Sequence, residues 1–283
     1  ASGGAEFELW IGGQMVDRQD AFFAVQLWNK FLLDQSSKGF ASVTSAVASN
    51  DVGRSAGVNS SNWLPLHFSF CDGYPLPLLA LQYHEVELKI KLSSGTAPDK
   101  FNVYGQYIML DTAERELIIS KNHEFLIEQM QKIPNSGTQV TPKFDLSLLN
   151  HPVKALMWGC PSTSGGGAFT SDDVQLYLNG TEVFGSHMPD KYFSYVQPYY
   201  HCEHGSDLMS GSAVASGSSL KMYSFAQKVN KRQPSGSCNF SRLDTAALQI
   251  QTTTNAPAGL SLYAVNYNIL RIQNGMAGVA FSN

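Results

Sequence analysis

The chain has 283 residues and a formal net charge of -4, with 15% charged and 11% aromatic residues, 24 glycines and 12 prolines. No basic excess marks it as a nucleic-acid binder, and no apolar run approaches the roughly 18–20 residues needed to span a bilayer. Four scattered cysteines (Cys71, Cys160, Cys202, Cys238) form no CxxC pair. That argues against a disulfide framework or a zinc site and fits a reducing compartment. The opening Ala1-Ser-Gly-Gly lacks the basic and apolar regions of a signal peptide, so a soluble product of the cytosol is expected. Few charges and many small turn-forming residues suit short strands joined by turns.

Phe7–Ile11 and Gln14–Asp17 are apolar-rich runs around Gly12-Gly13, a two-residue hairpin signal, because primed turns need positive φ. Asp20 is placed to cap a helix over Ala21–Leu33, with Ala24, Leu27, Trp28 and Phe31 on one side. The aromatics Phe22, Phe23, Trp28 and Phe31 then read as a face packed on a sheet. Gln35–Asn62 is small, polar and unpatterned, a surface loop. Trp63–Phe70 reads as a strand.

The stretch Leu76–Leu92 reads as the central rib of a β-sandwich. Val86, Leu88, Ile90 and Leu92 alternate with Glu87, Lys89 and Lys91, the period of a strand with one buried face, while Leu78–Leu81 is apolar on both faces. Ser93–Lys100 is the clearest linker, and Phe101–Leu110 the next strand. Asp111 and Glu114 have capping-box spacing ahead of a helical turn over Ala113–Ile119. His123–Gln131 fits a strand slightly better than a helix. Strands follow at Phe144–Leu148 and Val153–Trp158, around a turn at Asn150–Pro152. Val174–Phe184 is the strongest hairpin, with Asn179-Gly180 at its tip. Leu220–Ala226, Ala246–Thr252 and Leu260–Ile272 complete the strands, between loops at Ser162–Thr170 and His201–Ser219.

An internal repeat is visible. Leu9–Gln14 resembles Leu176–Thr181, Ala80-Leu-Gln82 resembles Ala247-Leu-Gln249, and His67–Phe70 resembles Met222–Phe225, in the same order. Such order points to a duplicated all-β domain. The expected units are residues 1–92 and 101–283, joined by 93–100, and on this register the first unit lacks its opening strands.

Residues able to do chemistry are sparse. Glu85 and Glu87 are two carboxylates on one strand, the raw material of a glycosidase pair, but Lys89 and Lys91 continue that face as an ordinary solvated row. His201-Cys-Glu-His204 holds metal-capable groups in a Ser/Gly loop without a second ligand pair. Lys228, Lys231 and Arg232 form a small basic cluster without accompanying aromatics, better suited to salt bridges or a subunit contact than to nucleic acid. Gly165–Gly167 lacks the Lys-Ser/Thr of a phosphate loop. No catalytic, cofactor or metal residues are therefore assigned, and no cofactor is expected. Asn59, Asn179 and Asn239 begin N-glycosylation acceptor patterns, although Asn179 has a sufficient reason in its turn.

Several segments together resemble the double jelly-roll major capsid proteins of large nucleocytoplasmic DNA viruses, most closely the algal-virus branch and then the iridoviruses. They are Leu9–Gln14, Pro75–Val86, Tyr107–Arg115, His123–Gln129, Arg232–Arg242, Tyr263–Arg271 and Gly275–Gly278. The resemblance runs along nearly the whole chain. It implies two tandem jelly-roll β-sandwiches with short helical insertions and a structural, non-enzymatic role. It also implies a homotrimer forming pseudo-hexameric capsomers of an icosahedral shell. The partners so implied are copies of the chain, neighbouring capsomers and minor capsid proteins, with no direct nucleic acid and no membrane insertion. The implied location is the virion capsid, assembled in the host cytoplasm. Against the family pattern, the opening strands of the first jelly roll are missing and several loops are short. A carbohydrate-binding sandwich using Tyr192, Tyr195, Tyr199 or Tyr200, and a minor or penton paralogue, are the competing readings.

Overall fold

The computed structural model describes residues 5–32, 64–71, 74–92, 102–135, 139–160, 171–202, 220–252, 256 and 259–281. These form three antiparallel sheets with few helices. The first sheet has the order β2-β1-β3, from β1 (Glu6–Ile11), β2 (Gln14–Asp20) and β3 (Val86–Lys91). Gly12 and Gly13, at φ 57° and 78°, make the expected tight turn between β1 and β2. Asp20 accepts a 2.8 Å hydrogen bond from the Phe23 amide and so caps helix α1 (Phe23–Leu32), which winds as a π-helix.

Helix α2 (Thr112–Ser120) opens on a complete capping box: the Asp111 carboxylate takes the first amides and the Glu114 carboxylate accepts the Asp111 N–H at 3.1 Å. The second sheet is built on β4 (His123–Pro134), and the third starts at β5 (Lys143–Asp145). Then follow β6 (Pro152–Gly159), β7 (Asp173–Leu178), β8 (Thr181–Glu182) and β9 (Met188–Pro189). A π-turn at Tyr192–Val196 runs into α3 (Gln197–His201), and β10 (Lys221–Ser224), β11 (Cys238–Asn239) and β12 (Ala246–Gln251) come next. The last strands are β13 (Ser261–Gln273) and β14 (Met276–Val279). The second sheet runs β10-β6-β13-β14, with β4 along the other side of β13; the third runs β5-β12-β7-β8.

The long strands β4 and β13 are the spine of the molecule. They pair over twelve residues, from Ser261↔Pro134 to Ile272↔His123, and each reaches three separate cores. Leu262 and Ala264 face the core between the second and third sheets, with Ile133 beside them and Trp158, Phe144, Val174 and Leu248 opposite. Tyr263 and Val265 point to the other face, where Phe23, Leu27 and Phe31 of α1 pack with Met130 and Met157. Further along, Leu270 and Ile272 join Ile127 under the first sheet, against Phe7, Leu9, Ile11 and Val16. Period-two alternation lets one strand serve opposite faces, and its length lets it serve both ends. β13 is buried on both faces over Ser261–Asn268, whereas β4 is buried mainly at Ile127, Gln129, Met130 and Ile133 and carries charged and polar residues between them.

Three expectations are corrected. Leu76–Leu92 is not the central rib: only Val86–Lys91 is a strand, and it lies at the sheet edge. Pro75 and Pro77 have no N–H to give a ladder, and Leu78–Ala80 instead makes a 3₁₀ turn. Residues 64–68 form no ladder either, with Pro65 in their midst, yet Leu64, Leu66, Phe68 and Phe70 all pack on the core under the first sheet. The alternation is right about the face and silent about the missing neighbour. Residues 102–110 are likewise without a strand partner among the described residues. Of the three repeat matches, the two hairpin turns are alike, since Asn179 and Gly180 also have positive φ of 50° and 75°. The other two join a 3₁₀ turn to β12, and an unpaired turn to β10. The loops at 35–62, 162–170 and 203–219 lie outside the described residues, as does the link 93–100.

Candidate functional site

The chemistry of the molecule is concentrated in a buried polar seam where β2 and α1 meet the spine. Successive β2 residues are sorted by the pleat, so Asp17 and Gln19 share one face. The Asp17 carboxylate is buried and accepts hydrogen bonds from the Met130 amide, the Arg18 amide and the Gln19 side chain, each at 2.9 Å. Burial nonetheless outweighs these bonds and pushes its pKa up to about 6. Asp20, also buried, caps α1 with one oxygen and with the other accepts from Lys132 Nζ at 2.7 Å and the Tyr263 hydroxyl at 2.8 Å. The buried Gln129 donates to the Val16 carbonyl and accepts from Asn268 at 2.8 Å. Lys154, almost wholly buried, pairs with Glu128 and donates to the Lys231 carbonyl at 3.0 Å.

Beside this seam lies a cavity of about 480 Å³, lined among others by Gln19, Trp28, His67, Glu128, Lys154 and Arg232. Trp28 and His67 stack with ring centroids 4.0 Å apart, and burial lowers the His67 pKa to about 4, so the ring is neutral at pH 7. Ser69 joins the wall to the spine, its hydroxyl accepting from the Glu128 amide at 2.7 Å and donating to the Glu128 carbonyl at 3.0 Å. The arrangement is that of a fastening: carboxylates are held by amides and lysines. Among the described residues, no group of three His, Cys, Asp or Glu is placed to hold a metal ion.

The matches to known proteins agree with this reading. A family model for the N-terminus of major capsid proteins matches residues 5–117, and the model of the large eukaryotic DNA virus major capsid protein matches residues 114–278. The chain is 37% identical to the major capsid protein of Pyramimonas orientalis virus, over 98% of this chain and 76% of that protein. It is 30% identical to the major capsid protein of Paramecium bursaria Chlorella virus 1, over 98% of this chain and 78% of that one. This chain belongs to the major capsid proteins of large eukaryotic DNA viruses. The quasi-atomic model of the PBCV-1 virus capsid superposes with a TM-score of 0.71 at 27% identity, covering 98% of this chain and 83% of that chain. The Faustovirus major capsid protein shares the fold, with a TM-score of 0.59 at 11% identity.

A major capsid protein is a structural component of the virion shell, set among neighbouring copies, and not an enzyme. The sequence candidates fall into place accordingly. Glu87 sits 3.1 Å from Lys89, both exposed, while Lys89 also lies 3.8 Å over the Trp10 ring. His201 Nδ1 lies 3.2 Å from the Gln227 carbonyl and Cys202 is buried, its thiol pKa pushed up to about 12; Glu203 and His204 lie outside the described residues. Of the basic cluster, Arg232 donates to the Ser69 carbonyl at 2.9 Å and so ties one loop to another. Asn179 Oδ1 accepts from the Asp244 amide at 2.9 Å, Asn239 Oδ1 from the Ser241 amide at 3.1 Å, and Asn59 lies outside the described residues. Tyr199 and Tyr200 are exposed and edge-to-face, whereas Tyr192 accepts a hydrogen bond from the Gln197 side chain at 2.8 Å.

The seam itself was missed in the sequence. Its members are spread from Asp17 to Asn268, so no local pattern joins them; the polar Asn268 inside the largely apolar β13 is a local hint.

Proposed function

We propose that three copies of this chain associate into a pseudo-hexameric capsomer and that such capsomers tile an icosahedral shell. Family membership along nearly the whole chain supports the reading. The two tandem units that the resemblance implies favour it too, since three subunits of two units each would supply a sixfold outline. The two units are residues 1–92 and 101–283, linked by 93–100, with Ile118 of α2 packed back on the core of the first. Assembly in the host cytoplasm, contact with minor capsid proteins and absence of direct nucleic-acid contact complete the proposal. Static light scattering after size exclusion tests it: a particle of three times 30.9 kDa is expected, and a folded monomer at all concentrations overturns it. Peptide mass spectrometry of virion-derived protein decides whether Asn59, Asn179 or Asn239 carries sugar.

A further inference from the structure

The cavity beside the polar seam is walled by residues whose hydrogen-bonding groups the fold leaves partly unmet. Gln19 Oε1, His67 Nε2, Tyr267 Oη and both polar atoms of the Asn230 side chain belong to residues that line it. All are shielded from water and have no hydrogen-bond partner among the described residues. Gln19 and Tyr267 are only 3% and 7% exposed. A buried polar group without a partner costs stability, so several of them around one cavity mark a place built for another purpose. At about 480 Å³ the cavity falls within the ~300–1,000 Å³ typical of small-molecule sites.

The chemistry of these groups narrows the ligand. The Gln19 side-chain amide gives its hydrogens to Asp17 Oδ2 and to the His67 carbonyl, each at 2.9 Å, which leaves Oε1 as an acceptor in want of a donor. His67, neutral at pH 7, gives its one ring hydrogen to the Ala24 backbone, so Nε2 is a second such acceptor. Asn230 adds a third acceptor and a donor, and the Tyr267 hydroxyl can both give and accept. Charge, by contrast, is already matched. Asp17 is held by amides, Glu128 by Lys154 and Glu124 by Arg271, and Arg232 donates to the Ser69 carbonyl. Rings border the same space, among them Trp28, Phe125 and the 66% exposed Tyr74. The ligand suited to these walls is uncharged, rich in O–H donors and apolar on one face. A neutral saccharide has all three properties. A nucleobase has no such set of O–H donors, and phosphate carries a charge that these neutral groups do not match.

We propose that this cavity is a binding site for a neutral mono- or disaccharide. Its hydroxyls donate to Gln19 Oε1, His67 Nε2 and Asn230 Oδ1 and exchange a hydrogen bond with Tyr267 Oη, while its C–H face lies on a ring of the wall. The site does not depend on how copies of the chain associate.

Titration calorimetry and saturation-transfer NMR on the folded chain test this, with glucose, galactose, mannose and maltose as probes and adenine and inorganic phosphate as controls. At least one saccharide is expected to saturate a single site with a dissociation constant of about 10 mM or tighter. Tyr267→Phe and Asn230→Leu are each expected to weaken that binding about tenfold while leaving the melting temperature unchanged or higher, because each removes a buried group that lacks a partner. Residues that served only the fold would lower the melting temperature and leave binding alone. Failure of all four saccharides to saturate, binding that survives both substitutions, tighter binding of adenine or phosphate, or a melting temperature lowered by both substitutions overturns the site.

Discussion

Asp20 is the residue whose removal should do most damage for least change in volume. One oxygen caps α1 through the Phe23 amide, and the other accepts from Lys132 Nζ and Tyr263 Oη, so a single carboxylate joins β2, α1, β4 and β13. Asp20→Asn keeps the cap but removes the charge. Breaking a buried pair from one side costs about 3–5 kcal/mol, and Lys132 is a quarter exposed and partly rehydrated, so about 2–3 kcal/mol is expected. Asp20→Ala also loses the cap, a further ~1 kcal/mol. Tyr263→Phe removes one hydrogen bond to a charged group and should cost about 1.5 kcal/mol, much of it already absent in the Asp20→Ala background. Against a typical total of about 5–15 kcal/mol these losses are large. Urea unfolding followed by tryptophan fluorescence, with midpoints compared at constant slope, measures them. A loss below 1 kcal/mol for Asp20→Ala, or strict additivity with Tyr263→Phe, would refute the fastening.

The two hairpin turns should respond differently to a methyl group. Gly180→Ala meets no atom within 4 Å and should cost only the strain of positive φ, about 1 kcal/mol, whereas the new Cβ of Gly12→Ala would lie 2.2 Å from His84 Nδ1. That nitrogen accepts from the Ala277 amide at 3.1 Å, so displacing it also unfastens β14; a melting temperature for Gly12→Ala no lower than for Gly180→Ala would contradict the close approach. Asp17 gives a pH signature. Its folded pKa of about 6 lies above its ordinary 3.8, so protonation favours the fold. The contribution is fully present below 3.8 and is lost as pH rises through 6. Asp17→Asn should lack this term, and its stability relative to the parent chain should worsen by about 2 kcal/mol between pH 6.5 and pH 4. Parallel melting curves for the two chains across that range would show that Asp17 is not the buried acid described.

Local signals determined a good part of this protein without any help from the fold. Two adjacent residues with positive φ set the turns at Gly12-Gly13 and Asn179-Gly180, and a carboxylate three residues from its partner set the start of α2. Alternate residues of β12 and of residues 64–70 face the core, because side-chain direction depends only on the backbone's own period. Whether a stretch is a strand at all depends on a neighbour, which no local pattern contains. The alternation of Leu76–Leu92 therefore suggested a central rib, whereas the spine was β4 and β13, whose apolar residues on both faces carried no clean period. The tertiary structure alone decided the polar seam. Asp20 and Tyr263 meet at 2.8 Å across 243 residues, and only packing the first sheet and α1 onto the spine brings them out of water together.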